Sequence, residues 1–270
     1  LPEVSRHPTS KRGGLNTQVI LYCKIEYSTD WQWFKDGTPL ANSMNREELS
    51  LQLTISALGY YRCSGSGNGP HQNVFVHSLS AAVTVIGVST FPVTLAFSKL
   101  LFTKSLQNPS SSDFQAISSN ITEFLDGESL PSDPYVQVLD LREGSVVADT
   151  NFYVYNLNRL PKEYIDILLA ALMEAGNNSN GFLNPDRIII NTAEMCFEQT
   201  IMGYTFPDTF VGETVDSKEE CDETRKYYGQ PVANNTCIGD GLTTAVWHPE
   251  PISNCGGEAT AEDLLARIID

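Results

Sequence analysis

The chain has 270 residues, more than one domain usually holds, and its apolar content of 41% is ordinary for a globular protein. A net charge of −16 argues against nucleic acid and anionic membrane surfaces as partners. Six cysteines, an even set, and Asn-x-Ser/Thr sequons at Asn120, Asn177 and Asn234 point to a secreted or cell-surface protein.

Charge is uneven along the chain. Basic and acidic residues number 7 and 6 over 1–87, 6 and 12 over 88–192, and 4 and 15 over 193–270. Acidic faces are as a rule solvated, so no cation site is inferred from the last third. No run approaches the roughly eighteen apolar residues of a membrane span, and the most apolar helical stretch, 165–175, contains Asp166 and Glu174. Any membrane attachment is therefore expected through a region outside this segment. The opening Leu1-Pro2-Glu3 lacks a basic and then apolar leader, so the chain reads as a mature or excised segment.

After an amino-terminal segment, 1–17, short β-branched runs predict strands at 19–25, 31–35, 49–55, 60–64 and 74–85. Cys23 and Cys63 lie 40 residues apart with Trp33 between them, the spacing of an indole packed on an inter-sheet disulfide. The motifs Trp33-Phe-Lys-Asp-Gly37 and Leu53-Thr-Ile-Ser-Ala-Leu-Gly-Tyr-Tyr-Arg-Cys63 resemble those of immunoglobulin domains. The resemblance makes 18–87 an all-β sandwich, with Tyr61 as the tyrosine-corner residue and a shortened corner ahead of it. Gly65-Ser-Gly-Asn-Gly69 lacks the Gly-Lys-Ser/Thr of a phosphate loop and reads as a hairpin between the last two strands.

The next elements are a strand opening at Phe91 and a helix over 111–125 capped by Ser111 or Ser112. That helix places Phe114, Ile117, Ile121, Phe124 and Leu125 on one face. Two strands then flank Gly144-Ser145. In the first, Val136, Val138 and Asp140 alternate against Gln137, Leu139 and Leu141. A second helix starts at Pro161, buries Ile165, Leu168, Leu169 and Leu172, and ends at Gly176. A polar loop over 177–181 and a strand over 187–191 complete the series. Strand, helix, hairpin, helix, strand is the order of a split βαβ sandwich.

Three features of this stretch resemble the SEA module: Phe91-x-Val-x-Leu95, Leu106-x-x-Pro-Ser-Ser111, and Gly144-Ser-Val-Val-Ala148 beside that family's Gly-Ser-Val-Val-Val. The resemblance makes 88–192 an α+β ferredoxin-like domain that cuts its own chain between Gly144 and Ser145. Chemically, a bent turn that holds the Ser145 hydroxyl against the Gly144 carbonyl permits an N-to-O acyl shift and hydrolysis of the resulting ester.

Cysteines 196, 221, 237 and 255 predict a small loop-rich unit stapled by two bridges, with three connectivities open. Zinc is the alternative, disfavoured because no Cys-x-x-Cys occurs. Thr205-Phe-Pro-Asp-Thr-Phe-Val-Gly212, Cys221, Cys237, Trp247 and Ser253-Asn-Cys255 resemble the hormone-receptor-like domain of adhesion G-protein-coupled receptors. That resemblance gives 193–256 the pairing Cys196–Cys237 and Cys221–Cys255, and implies a spacer more readily than a hormone site. Residues 257–270 read as a capped amphipathic helix exposing Leu264, Leu265, Ile268 and Ile269. This resembles the opening helix of the autoproteolysis-inducing domain of such receptors.

No residue set forms an active site for an outside substrate, because His7, His71, His77 and His248 are scattered. The chain is thus expected not to be an enzyme beyond cutting itself, and to use no cofactor or metal. The modules in series imply the extracellular region of an adhesion G-protein-coupled receptor at the cell surface, coupled to signalling. Its expected partner is an extracellular protein or matrix ligand, with a homophilic contact through the immunoglobulin domain as a further expectation. The alternative is a shed or mucin-like adhesion protein without G-protein signalling.

Overall fold

The computed structural model describes residues 1–28 and 30–269, and at Gly69, Leu265, Ala266, Ile268 and Ile269 only the backbone. They divide into two compact units, Leu1–Asn191 and Thr192–Asp270.

The first unit begins with ten strands: β1 Glu3–Arg6, β2 Lys11–Gly13, β3 Gln18–Tyr22, β4 Lys24–Glu26, β5 Asp30–Lys35, β6 Thr38–Pro39, β7 Glu48–Gln52, β8 Gly59–Ser66, β9 Phe75–His77 and β10 Ala81–Val85. One sheet runs β2-β10-β8-β5-β6, with β9 also on β8, and the facing layer holds the β3–β7 and β1–β4 pairs. Cys23 and Cys63 are joined across the layers, and both are fully buried with Trp33, which lies opposite Cys63 in the sheet. The Trp33 indole donates to the Arg46 carbonyl at 2.8 Å, so its one polar atom is satisfied inside the core. Tyr61 donates to the Ala57 carbonyl at 2.8 Å, and a single 3₁₀ turn at Ile55–Ala57 shortens the approach to it. These are the core devices of an immunoglobulin sandwich.

Two details differ from the sequence reading. Residues 1–17 supply β1 and β2, which pair with β4 and β10, so the amino-terminal segment is part of the sandwich. The expected strand over 74–85 breaks between His77 and Ala81, where the Ser78 hydroxyl accepts from the Cys63 amide at 2.9 Å in place of a ladder bond.

Only Ile86 and Gly87 separate β10 from β11, Val88–Phe97. There follow α1 Ser112–Asp126, β12 Tyr135–Arg142, β13 Val146–Tyr155, α2 Pro161–Asn178 and β14 Ile189–Ile190. The sheet order β12-β13-β11-β14, antiparallel throughout, is that of a split βαβ sandwich. Ser111 caps α1 by accepting from the Phe114 amide at 3.1 Å, and Phe114, Ile121 and Leu125 lie buried under the sheet.

In α2 the buried line is Tyr164, Leu168 and Leu172, while Ile165 and Leu169 are half-buried. Tyr164 takes the central place because its ring packs 4.6 Å from that of Phe91 while its hydroxyl reaches the Pro131 carbonyl at 2.8 Å. The helix runs two residues beyond Gly176, so Asn177 stands in its last turn rather than in a loop.

In the second unit, a central strand Ala233–Ile238 pairs with Thr214–Asp216, Val246–Trp247 and Ile252–Ser253. Two short pairs precede it, Met195–Cys196 with Thr209–Phe210 and Gln199–Ile201 with Tyr204–Phe206. The bridges are Cys196–Cys237 and Cys221–Cys255. Phe206 and Trp247, ring centres 5.5 Å apart, close a small core over the first bridge. Helix α3, Ala261–Ile269, is tied back to this unit, with Arg267 donating to the carbonyls of Glu223, Lys226 and Arg225. Leu264 is exposed at 45%, whereas the Leu265, Ile268 and Ile269 side chains lie outside the described residues.

Candidate functional site: the Gly144-Ser145 hairpin

The hairpin joins β12 to β13 through Glu143, Gly144 and Ser145, all exposed. Its last cross-strand pair is Arg142 opposite Val147. Gly144 has φ 122° and Ser145 φ 52°, two consecutive residues in the positive-φ region. A Cβ on Gly144 would meet nothing nearer than Val147 Cγ2 at 3.7 Å, so glycine is required by the backbone rather than by space. Serine at positive φ costs on the order of 1–2 kcal/mol, stored at the bond that the sequence singles out.

The base of the turn is fastened. Arg142 donates from Nε to Asp149 Oδ2 and from Nη2 to Oδ1, each at 2.7 Å, and Thr94 on β11 donates to the same carboxylate at 2.8 Å. Three adjacent strands are therefore locked one step below the bend. Two residues further on, the register shifts between Val138 and Asp140, leaving Leu139 as the extra residue of a bulge. The bulge reverses the alternation, so that Val136 and Leu141, expected on opposite faces, both enter the core.

Strand β13 is buried on both sides. Val146, Ala148, Phe152 and Val154 join the core beneath the helices. On the reverse side Asn151 and Tyr153 are only 3% and 1% exposed. Asn151 Nδ2 donates to the Tyr153 hydroxyl at 3.1 Å, which donates to Gln137 Oε1 at 3.2 Å. Gln137 Nε2 donates in turn to Asp36 Oδ2 in the immunoglobulin domain at 2.9 Å. Burial pushes the Tyr153 phenol well above its ordinary range, and the nearby Asp36 carboxylate adds to this. Sequence reasoning missed this chain of contacts. Its one local sign was Asp36-Gly37, readable only as a turn between β5 and β6.

The remaining singled-out residues lie apart from the hairpin. Asn120 and Asn177 are exposed on α1 and α2, whereas Asn234 is half-buried on its strand with Nδ2 3.2 Å from Asn254 Oδ1. Cys23 and Cys63 pair ahead of Gly144, and the other four cysteines pair after it. Among the described residues no cluster of three His, Cys, Asp or Glu is placed to hold a metal, and no helix is long and apolar enough to cross a membrane.

The fold and the bridges define a modular, disulfide-bonded protein that opens with an immunoglobulin sandwich. No family model and no curated protein matches the chain. Among solved structures it is similar to the Duf (Kirre) D1 domain, with 19% identity over 32% of this chain and 96% of that one, at TM-score 0.29. It is also similar to the tandem Ig repeats of Dlar, with 20% identity over 31% and 47% of the two chains, at TM-score 0.27. The titin M3 domain gives 18% over 31% and 95%, at TM-score 0.26. The immunoglobulin assignment rests on the chain's own disulfide, Trp33 and Tyr61.

Proposed function

We propose that the chain is part of the extracellular region of an adhesion-type G-protein-coupled receptor. In this reading 88–192 is a SEA domain that cuts itself between Gly144 and Ser145, and 193–256 is a hormone-receptor-like spacer. The observation that carries it is the pair of positive φ angles at Gly144 and Ser145, at the tip of the β12–β13 hairpin of a split βαβ sheet. Three disulfides and the immunoglobulin sandwich support a cell-surface, adhesive setting with an extracellular protein as partner.

In the reaction, Ser145 Oγ attacks the Gly144 carbonyl carbon and the hydroxyl proton passes to the departing amide nitrogen. The resulting ester links Gly144 to the Ser145 side chain. Water then opens the ester, leaving a Gly144 carboxylate and a free Ser145 amino terminus. No outside substrate is turned over. Relief of positive-φ strain at Ser145, and attack by a hydroxyl carried on the residue next to the carbonyl, lower the barrier.

The test is the intact mass of the denatured, deglycosylated chain beside a Ser145→Ala variant. Two fragments divided after Gly144 in the parent and one chain in the variant are expected. A single full-length mass in both would overturn self-cleavage.

A further inference from the structure

Strand β13 presents its outer face to the immunoglobulin domain, where Asp36, Gln137 and Tyr153 form a continuous chain of hydrogen bonds. Asp36 leads the contact from the β5–β6 turn. Its carboxylate accepts from the Tyr60 amide at 2.8 Å and from Gln137 at 2.9 Å, and pairs with Lys35 at 3.1 Å. This close seat requires Gly59, where a Cβ would stand 2.4 Å from Asp36 Oδ2. Gln137 passes the contact to Tyr153 on β13, and the Gly87 carbonyl accepts from the Asn156 amide just beyond that strand at 2.8 Å.

We infer that the immunoglobulin domain is a brace on the sheet that carries the hairpin, acting through Asp36, Gln137 and Tyr153, so that the two domains open as one unit. A carboxylate accepting a half-buried amide hydrogen bond is among the stronger polar contacts a protein makes, and here it spans a domain boundary. A further consequence rests on the cleavage reading. A cut after Gly144 places β11, β12 and the immunoglobulin domain in one fragment and β13 in the other. No disulfide crosses that division. The Tyr153–Gln137 and Asn156–Gly87 bonds do cross it, so the immunoglobulin domain is part of what retains the carboxy-terminal fragment.

The experiment is amide hydrogen exchange on the full chain for the parent, Asp36→Asn, Gln137→Ala and the double variant. Asn at 36 can still accept from Tyr60 but offers one acceptor fewer to Gln137. Asp36→Asn is expected to speed exchange in β12 and β13 by about three- to tenfold, although the substitution lies in the other domain. The double variant is expected to add little to Gln137→Ala. Exchange changes confined to the substituted domain, or fully additive effects, would overturn the brace.

The denatured mass of the same samples reports separately whether the chain is cut. If it is, the urea concentration that separates the fragments is expected to fall in Asp36→Asn and Tyr153→Phe. An unchanged concentration would overturn the retaining role. If it is not, the exchange result alone decides the brace while the cleavage reading fails.

Discussion

Arg142 and Asp149 form a two-pronged ion pair across the base of the Gly144-Ser145 turn, with both nitrogen–oxygen distances at 2.7 Å. Both side chains remain partly in solvent, at 52% and 34% exposure, so the pair contributes to stability at the level of a surface salt bridge, about 1 kcal/mol or less. The pair also ties β12 to β13 next to the bend, where Thr94 on β11 donates to the same carboxylate. Arg142→Ala is therefore expected to leave the unfolding midpoint nearly unchanged and, on the proposed function, to slow the cut after Gly144 several-fold, read as the half-life of the uncut chain after synthesis. Cleavage at the parental rate would show that the clamp does not act on the bond.

Gly144→Ala separates backbone strain from crowding. The site has room for a methyl group, yet φ 122° is a conformation that alanine adopts poorly. Destabilisation of about 1–3 kcal/mol is expected, visible as a melting point lowered by about 2 °C or more. Parental stability would mean that the turn relaxes to negative φ at little cost.

Alkaline pH should loosen the first unit. Tyr61, Tyr153 and Tyr164 are almost wholly buried, and burial raises the pKa of each phenol. Above roughly pH 10 the unfolded chain sheds protons that the native state keeps. Stability is thus intact below that pH and falls as pH rises, by about 1.4 kcal/mol per pH unit for each tyrosine. Urea midpoints between about pH 8 and pH 11 measure this slope, and Tyr164→Phe should flatten it. An equal slope in the variant would contradict the assignment.

Reduction should divide the chain. The α+β domain has no cysteine and a core built from two helices and four strands, whereas the Phe206–Trp247 core is small and lies over the Cys196–Cys237 bridge. A bridge of this kind contributes about 2–5 kcal/mol to a small domain. With reductant, exchange protection is expected to fall much further in 192–260 than in β11 and β13, which feel the loss of Cys23–Cys63 only through the immunoglobulin brace. Equal loss in both would show that the second core does not depend on its bridges more than the first.

Much of the fold was legible because it is written in local periods. Phe114, Ile121 and Leu125 recur at helical spacing and are buried together, and the Cys23, Trp33 and Cys63 spacing, with the motif resemblance that adds Tyr61, marks the immunoglobulin core. Leu141 was placed on the wrong face because a single extra residue at Leu139 inverts a period of two, and a bulge leaves little trace in composition. Tyr164 was passed over in favour of Leu169 because half of its role is a hydroxyl bond to Pro131, 33 residues away.

The sequence by itself determined the two long helices, the central strands of the first unit, the cysteine and tryptophan spacing of the sandwich, and which glycine–serine bond stands at a hairpin tip. These depend on side-chain chemistry and on neighbours a few residues apart. Only the tertiary structure decided that the first seventeen residues join the sandwich, that Leu139 bulges, and that Asp36 reaches Gln137, 101 positions along the chain. A hydrogen bond between distant residues exists only once both backbones have been placed, so no local pattern carries it.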